Sequence, residues 1–191
     1  MKKIMMTMAA AMVAVAMNAQ NFYAGGSLGY TTRSYDGSTL NSTFRFIPEF
    51  GISFNENIGV GVELGYSSST NETSDPKLTN STFTFAPYFR YTPLHIGKVN
   101  VFADGKFSYS ANNNEQAING KAEDNKTNTW GFYVQPGIAY NLNDKFSLVA
   151  KFGNILGYSS SKPDVSGAKA TTNFQFMNLS NAVQFGFYYN F

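Results

Sequence analysis

Seven ionised side chains in this sequence have the types and spacing that could move protons or ions. Each stands in a stretch whose alternate positions are apolar, aromatic or small, and four of them are basic and three acidic. One interpretation is a polar gate or a proton path. We favour the other, a salt-bridge network that fills a narrow interior, because buried charges are stable only when they are paired. The seven residues are Arg45, Glu49, Glu63, Arg90, Asp104, Lys106 and Lys151.

The sequence offers little material for catalysis. It has one histidine, His95, in the turn-like segment "PLHIG", and it has no cysteine. A serine–histidine–acid arrangement or a transition-metal site therefore has no support, and we predict no catalytic, cofactor-binding or metal-binding residues. The glycine-rich segment "GVGVELG" alternates as a strand would and precedes no helix, unlike a phosphate-binding loop. We therefore predict that the protein is not an enzyme.

The elements that carry the seven charges are predicted to be β-strands. Large apolar residues recur at every second position, which is typical of strands with two unlike faces, and no long stretch has the helical period. The last stretch is the clearest example, because aromatic residues alternate with small or polar ones as far as Phe191. The eight stretches are "NFYAGGSLGYTT", "TFRFIPEFGISF", "IGVGVELGYS", "STFTFAPYFRYTP", "VNVFADGKFSYS", "TWGFYVQPGIAYN", "KFSLVAKFG" and "AVQFGFYYNF".

The connections between these stretches alternate in length. Residues 55–57, 93–98 and 141–144 are predicted to be short turns. Residues 31–41, 67–80, 111–128 and 159–172 are rich in Ser, Thr and Asn and are predicted to be long solvated loops. This pattern indicates an all-β fold, an eight-stranded antiparallel up-and-down transmembrane β-barrel with both chain ends at the short-turn end.

Alternation alone does not tell which face meets water, because a lipocalin-like carrier alternates too, with its charges outside. Three features favour charges inside and a bilayer outside. The charged face is rich in glycine, which suits a narrow lumen; the chain ends on an apolar strand; and aromatic residues mark the ends of the strands, as interfacial girdles do. The predicted girdle residues are Tyr30, Phe44, Tyr66, Phe83, Tyr109, Trp130 and Tyr140.

The N-terminus has the pattern of a secretory signal peptide. Lys2 and Lys3 precede an apolar run that is too short to span a membrane, and Ala19 offers a small residue for cleavage. We predict a signal peptide over residues 1–19 and a barrel over residues 20–191. Removal of Lys2 and Lys3 leaves equal numbers of basic and acidic residues, so the basic balance gives no support for nucleic-acid binding.

Three prolines recur in one frame of alternating residues. Pro48, Pro87 and Pro136 each stand in the middle of an apolar stretch and each precedes a predicted short turn. Proline inside a paired strand removes a ladder hydrogen bond. We therefore expect a bulge or a local gap in the ladder at each of the three positions.

The terminal "VQFGFYYNF" and the segments "IPEFGISFNENIGVGVELGYS" and "PGIAYNLNDKFSLVAKFG" resemble the small outer-membrane β-barrel domain family of Gram-negative bacteria, of the OmpA/OmpX type. The resemblance covers the whole mature chain. It implies an outer-membrane location with periplasmic chain ends, contact with outer-membrane lipid and lipopolysaccharide, and a monomer. It also implies that the barrel-assembly machinery reads a signal at Phe187, Tyr189 and Phe191.

These observations lead to a functional expectation with two alternatives. We expect a non-enzymatic barrel that maintains the cell envelope, or that recognises or adheres to a surface ligand of unknown identity through four long extracellular loops. The first alternative is a narrow pore or a barrel that binds a small solute. The second alternative is a secreted lipocalin-like carrier.

Overall fold

The computed structural model describes residues 22–35, 38–71, 78–118, 121–165, 167–177 and 183–191. The predicted signal peptide, residues 1–19, lies outside the described residues. Within the described ranges, no helix has the length and apolarity needed to cross a membrane. The ten strands are β1 (Phe22–Tyr35), β2 (Ser38–Ser53), β3 (Ile58–Asn71), β4 (Leu78–Ile96), β5 (Val99–Ile118), β6 (Lys121–Asn141), β7 (Phe146–Lys151), β8 (Leu156–Pro163), β9 (Thr171–Phe176) and β10 (Gln184–Asn190).

The strands close into an antiparallel barrel. Following the hydrogen-bonded neighbours, β5, β4, β3, β2, β1, β10, β7 and β6 lie side by side, and β6 pairs back to β5. This ring contains eight strands, so the predicted eight-stranded up-and-down barrel is confirmed. We call the end that carries residues 54–57, 97–98 and 142–145 the short-turn end, and the opposite end the hairpin end.

Two of the eight barrel strands are interrupted, which explains why there are ten segments. β7 and β8 both pair with β6, and four residues, 152–155, stand between them where β6 has only two. The seventh barrel strand is therefore β7 plus β8, joined by a bulge. The eighth is β9 plus β10: β9 pairs with β8 and β10 with β7.

Each of the three prolines interrupts the ladder on one side, as expected for a residue without an N–H donor. In the described chain, each proline is paired with the preceding strand and has no register partner in the following one. The pairs that form are Pro48 with Gly26, Pro87 with Val62, and Pro136 with Ala103. The predicted local gap is thus present at all three positions.

A side chain replaces the missing donor at Pro136. The Pro136 carbonyl accepts a hydrogen bond from the Phe152 amide at 2.9 Å. The Phe152 carbonyl accepts in return from Gln135 Nε2 at 2.7 Å. Because a buried carbonyl left without a donor is costly, Gln135 stabilises the bulge between β7 and β8.

The prediction of four long loops is wrong for most of the residues that it covered. β1 runs to Tyr35, β3 to Asn71 and β5 to Ile118, so strand pairing continues far into the polar segments. Side chains of neighbouring strands hydrogen-bond across these extensions, as Thr70 Oγ1 and Thr79 Oγ1 do at 3.4 Å. A hairpin with water on both faces needs no apolar alternation, so polarity alone was a misleading signal for a loop.

The two faces of the wall are sorted as the alternation predicts. Phe46, Phe89 and Phe132 on the outer face are exposed, whereas Glu49 and Asp104 point inward and are buried. This arrangement is the reverse of a soluble carrier, in which charges meet water and the apolar face lines the cavity. The lipocalin-like alternative is therefore wrong.

Inward-facing aromatic rings lie over glycines of neighbouring strands. A Cβ added to Gly61 would stand 2.3 Å from Tyr88 Oη, and a Cβ added to Gly137 would stand 2.3 Å from Phe102 Cζ. Both positions are too close for any side chain. The glycines on the charged face therefore make room for the rings that project into the short-turn half of the lumen.

Candidate functional site

Six of the seven predicted charged residues meet inside the barrel in a single cluster. Their strands are β2, β3, β4, β5 and β7, and each side chain stands at an inward position of its strand. The period of two gives them a common face, and the closure of the ring brings that face to one axis. We call this group the lumen cluster: Glu49, Glu63, Arg90, Asp104, Lys106 and Lys151.

Arg90 and Asp104 form a buried, two-pronged ion pair of the lumen cluster. Arg90 Nε donates to Asp104 Oδ1 at 2.7 Å and Arg90 Nη2 donates to Asp104 Oδ2 at 2.8 Å. Asp104 is 0% exposed, so water does not solvate it. The guanidinium also lies over the Phe102 ring, with Cζ 4.0 Å from the ring centroid. Such a two-pronged, stacked contact fixes the orientation of both partners.

Glu49 is the hub of the lumen cluster. Its Oε1 accepts hydrogen bonds from Arg90 Nη2 at 3.0 Å, from Tyr88 Oη at 2.6 Å and from Tyr188 Oη at 2.8 Å. Its Oε2 accepts from Lys151 Nζ at 2.6 Å. Because Tyr88 donates its proton to Glu49, the 2.6 Å contact between Tyr23 and Tyr88 must have Tyr23 as the donor. Both Glu49 oxygens are therefore satisfied.

The three tyrosines were missed from the sequence, although a signal was present. Tyr23, Tyr88 and Tyr188 stand on the same alternating face as the charges, opposite to the outward aromatic residues of their strands. A buried tyrosine on a polar face requires a partner for its hydroxyl. Their positions in the alternation therefore put these tyrosines on the same face as the carboxylates.

Lys151 lies among the three carboxylates of the lumen cluster. Its Nζ is 2.6 Å from Glu49 Oε2, 2.6 Å from Glu63 Oε1 and 3.5 Å from Asp104 Oδ2. Oxygens of these three acids lie within 4.8 Å of one another, a spacing that could hold a metal ion. The Lys151 ammonium lies among these oxygens and supplies the positive charge that a metal ion would otherwise supply.

Lys106 completes the charge balance. Its Nζ contacts Glu63 Oε1 and Gln135 Oε1, both at 2.5 Å. With three acids and three bases in mutual contact, the lumen cluster is formally neutral. A neutral, fully hydrogen-bonded group is the arrangement in which buried charges are tolerated.

Arg45 does not belong to the lumen cluster, so its inclusion in the predicted network is wrong. It stands on the inward face of β2, four residues before Glu49 and closer to the hairpin end, and it is exposed. Within the described part of the chain, no ion pair joins Arg45 to the cluster. Alternation predicts the face of a residue but not its height, and Arg45 is too high to reach the acids.

The lumen cluster divides the interior into two chambers. The outer chamber, toward the hairpin end, has a volume of about 240 Å³ and is lined by Arg45, Ser67, Thr84 and Gln184, among others. The inner chamber, toward the short-turn end, has a volume of about 360 Å³. Its wall includes Arg90 of the lumen cluster and the rings of Phe102 and Tyr188. The arrangement can rigidify the barrel and block a path along its axis.

A comparison with protein families decides what kind of barrel this is. The model of the outer membrane protein β-barrel domain matches residues 4–191. The chain belongs to this family. It is therefore an outer-membrane barrel protein.

Two solved structures share the fold of this outer-membrane barrel. Neisserial surface protein A is 14% identical, with 89% of this chain and 97% of the other covered and a TM-score of 0.50. A major outer membrane protein from Thermus thermophilus is 14% identical, with 90% of this chain and 98% of the other covered and a TM-score of 0.53. A comparison with curated protein sequences finds no match.

The predicted girdle residues of the outer-membrane barrel are all exposed, and six of them are cross-strand neighbours. Tyr30 faces Phe44, Tyr66 faces Phe83 and Tyr109 faces Trp130, so these side chains form pairs in a band toward the hairpin end. Tyr140 stands apart at the short-turn end, opposite Val99. Aromatic bands of this kind suit the interface between lipid and water.

The three predicted assembly-signal residues lie on the outer face of the last strand. The Phe191 amide donates to the Phe22 carbonyl at 2.9 Å, and the two rings lie 5.0 Å apart. Tyr189 packs edge-on between Phe191 at 4.8 Å and Phe146 at 5.3 Å. Phe187 is exposed. The C-terminus is thus held against β1 and β7 by ring contacts.

His95 lies near the end of β4 at the short-turn end and lines the inner chamber. Its Nδ1 is 2.8 Å from Asn100 Oδ1, and the side chain is exposed. The hydrogen bond joins two strands of one hairpin. No lumen-cluster acid orients the ring, as a catalytic base would require, within the described residues.

Proposed function

We propose that this protein is a non-enzymatic outer-membrane barrel that serves as a rigid anchor for surface-exposed β-hairpins, acting in envelope integrity or in recognition of a surface ligand. The observation that carries the proposal is the lumen cluster. A neutral hydrogen-bonded plug at mid-height stiffens the barrel and leaves the axis without a water path. The outer surface and the hairpins are then the parts of the protein that carry its function.

The hairpins extend well past the aromatic band. From the Tyr109–Trp130 pair, β5 and β6 remain paired to Ile118 and Lys121. At a rise of about 3.4 Å per residue, this hairpin extends about 30 Å beyond the band. Its Asn, Ser and Thr side chains offer hydrogen bonds to sugars or proteins, which supports a role in recognition.

The proposal includes the location and orientation of the barrel in the cell envelope. Residues 1–19 act as a signal peptide, and the chain ends and short turns face the periplasm. The outer wall contacts lipid and lipopolysaccharide, and the barrel-assembly machinery reads Phe187, Tyr189 and Phe191. The protein acts as a monomer. The short 54–57, 97–98 and 142–145 connections support this orientation, because periplasmic turns of such barrels are short.

Surface proteolysis of whole cells tests the orientation. Cleavage near Ile118 and Lys121 by external protease, with residues 142–145 cut only after the outer membrane is broken, is the expected result. Cleavage of the short turns in intact cells would show that the barrel has the opposite orientation in the membrane. Release of the protein from the membrane fraction without detergent would show that the barrel does not span the membrane.

A complementation experiment separates envelope integrity from recognition. Cells lacking the protein would receive either the wild type or a variant in which residues 112–127 are replaced by a two-residue turn. Sensitivity to bile salts reports on the envelope, and adhesion to a glycan array reports on recognition. If the barrel stabilises the envelope, the shortened variant restores resistance; if the hairpin recognises a ligand, adhesion alone is lost. Failure of the wild type in both assays would overturn the proposal.

The narrow pore is the second candidate, and the two chambers favour it. Each is large enough for several water molecules, and the lumen cluster lies between them together with the tyrosines bonded to Glu49. Planar-bilayer recording is the direct test. We expect no steady conductance; a stable single-channel current that changes on Glu49→Ala would establish the pore.

A further inference from the structure

A groove crosses the outer wall of the barrel on β4, β5, β6 and β8. Its floor is at Gly105, which is exposed on the outer face between its register partners Phe89 and Val134. A Cβ placed on Gly105 would meet nothing closer than the Phe89 carbonyl oxygen at 3.9 Å. The groove has a volume of about 650 Å³. We call it the Gly105 groove; the outward side chains that line it include Phe89, Phe107, Phe132, Val134 and Leu156.

Aromatic rings form the wall of the Gly105 groove on the side of the hairpin end. Phe107 and Phe132 are register partners, and their ring centroids lie 5.1 Å apart. The Trp130 ring continues this wall, 6.2 Å from the Phe132 ring and 5.7 Å from the Tyr158 ring. Because Trp130 belongs to the aromatic band that suits the interface, the groove lies on the hydrocarbon side of that band. Acyl chains are therefore what surrounds the groove in a membrane.

Strand β8 connects the Gly105 groove to a positive charge beyond the aromatic band. Leu156, Tyr158 and Lys162 stand on one face of β8, and all three are exposed. Ser160, on the same face, is the register partner of Trp130. Lys162 therefore lies about 7 Å beyond the band along the strand. Among the described residues, no ion pair neutralises Lys162.

The separation of the charge from the groove is that of a lipid headgroup from its acyl chain. Lys162 is six positions beyond Leu156 in β8, a span of about 20 Å along the strand. Half of a bilayer that measures ~40–45 Å with its headgroup regions is about as thick. A lipid with its headgroup at Lys162 can therefore lay one acyl chain along β8, past Tyr158, into the groove.

We propose that the Gly105 groove and Lys162 bind one molecule of lipopolysaccharide through its phosphate-bearing lipid A. One acyl chain lies in the groove against Phe107 and Phe132, and a phosphate accepts a hydrogen bond from Lys162 Nζ. The choice of lipid rests on the proposed function, because outward hairpins place Lys162 in the outer leaflet. A second copy of the chain fits less well, because the convex wall of another barrel does not reach the floor at Gly105.

Native mass spectrometry of the refolded full barrel in detergent micelles tests the phosphate contact. The probes are lipid A and dephosphorylated lipid A, which has the same acyl chains. We expect one retained lipid A, held more tightly than the dephosphorylated form. Lys162→Gln lowers that preference about tenfold, the value of one charged hydrogen bond, and Lys162→Arg keeps most of it. Lys145→Gln, in an exposed turn at the short-turn end, leaves it unchanged.

A matched pair of outer-wall variants tests the acyl-chain contact. Gly105→Leu fills the groove and weakens the retention of both probes to the same extent, whereas Ala150→Leu, on the outer face of β7, does not. Folding of each variant is checked by its heat-dependent gel shift. Unchanged retention in Gly105→Leu, or an unchanged phosphate preference in Lys162→Gln, overturns the proposal.

Two further outcomes would identify a different occupant of the Gly105 groove. Phosphatidylglycerol held more tightly than lipid A would replace lipopolysaccharide by a phospholipid, and dimers that Gly105→Leu abolishes would replace it by a second copy of the chain. Either result overturns the proposal. Both ends of the barrel are accessible in a micelle, so these results do not depend on its orientation in cells. The proposed function fails separately, if external protease cuts the short turns of intact cells.

Discussion

The short-turn half and the hairpin half of this barrel are built from the same eight strand positions but by different physics. In the short-turn half the ring is closed, and inward rings and charges pack against one another, with complete burial at Asp104. In the hairpin half β9 is paired on one edge only among the described residues, and the inward side chains are hydroxyls and amides such as Thr84 and Ser110. The short-turn half has a buried, packed cluster, whereas the polar side chains of the hairpin half are in contact with water.

This difference shows where the stability of the barrel resides. Buried ion pairs cost desolvation and must be completely satisfied, so every loss in the lumen cluster is expensive. Exposed hydroxyl pairs exchange with water at little cost. Mutations of equal size should therefore have large effects in the short-turn half and small effects in the hairpin half.

Glu49→Ala should produce the largest effect and sharpens the contrast most. It leaves Arg90, Lys151 and two tyrosine hydroxyls without their shared acceptor. We expect a loss of about 3–5 kcal/mol in the free energy of unfolding, measured by urea titration of vesicle-inserted protein. Glu56→Ala, in an exposed short turn, is the control and should change little. Equal midpoints for the two variants would contradict a stabilising lumen cluster.

Lys151→Gln should come next, with a loss of about 3 kcal/mol because three carboxylates are left with less positive charge between them. A divalent cation can replace the missing ammonium charge. Added Mg²⁺ should therefore restore part of the unfolding midpoint in this variant and leave wild type unchanged. Lys145→Gln, an exposed turn residue, is the control. A variant as stable as wild type without Mg²⁺ would show that the carboxylates do not depend on Lys151.

Gly61→Ala should destabilise the barrel by about 1–3 kcal/mol through overpacking. The new Cβ would stand 2.3 Å from Tyr88 Oη and 2.6 Å from the Phe50 carbonyl oxygen. Gly105→Ala is the matched control, because its Cβ would meet nothing closer than the Phe89 carbonyl oxygen at 3.9 Å. Heat-dependent gel shift compares the two. The packing account fails if both glycines tolerate alanine equally.

The smallest effect concerns the two segments of the last barrel strand, β9 and β10, and needs hydrogen exchange to detect it. Amides of β9 should exchange at least about tenfold faster than those of β10, because in the described chain β9 is paired on one side and β10 on both. Mass spectrometry of peptides covering the two strands, in the same sample, provides an internal control. Equal protection would show that the second edge of β9 is hydrogen-bonded as both edges of β10 are.

Much of the architecture follows from the period of two. It places Glu49, Arg90 and Lys106 on one face and Phe46, Phe89 and Phe107 on the other before any coordinates are known. The missing N–H of proline predicts the three gaps in the ladder. The period of two does not find the bulge at residues 152–155 or the pairing of polar segments into long hairpins, because neither changes the alternation of apolar residues.

The inclusion of Arg45 shows the limit most clearly. Arg45 and Glu49 share one strand face, yet only Glu49 joins the lumen cluster. Parity states which way a side chain points, and height along the barrel depends on strand tilt and stagger. Those quantities arise from the closure of the whole ring and are not written in any single stretch.

The sequence by itself determined which side chains share a face of each strand, because successive side chains of a strand must point to opposite faces. The glycines of the charged face and the aromatic residues of the other face then indicated which face meets lipid. The tertiary structure alone decided which charges meet. Lys151 and Glu49 stand 102 residues apart in the chain and 2.6 Å apart in space. Only the stagger of a closed barrel brings them to the same height, and it leaves Arg45 nearer the hairpin end.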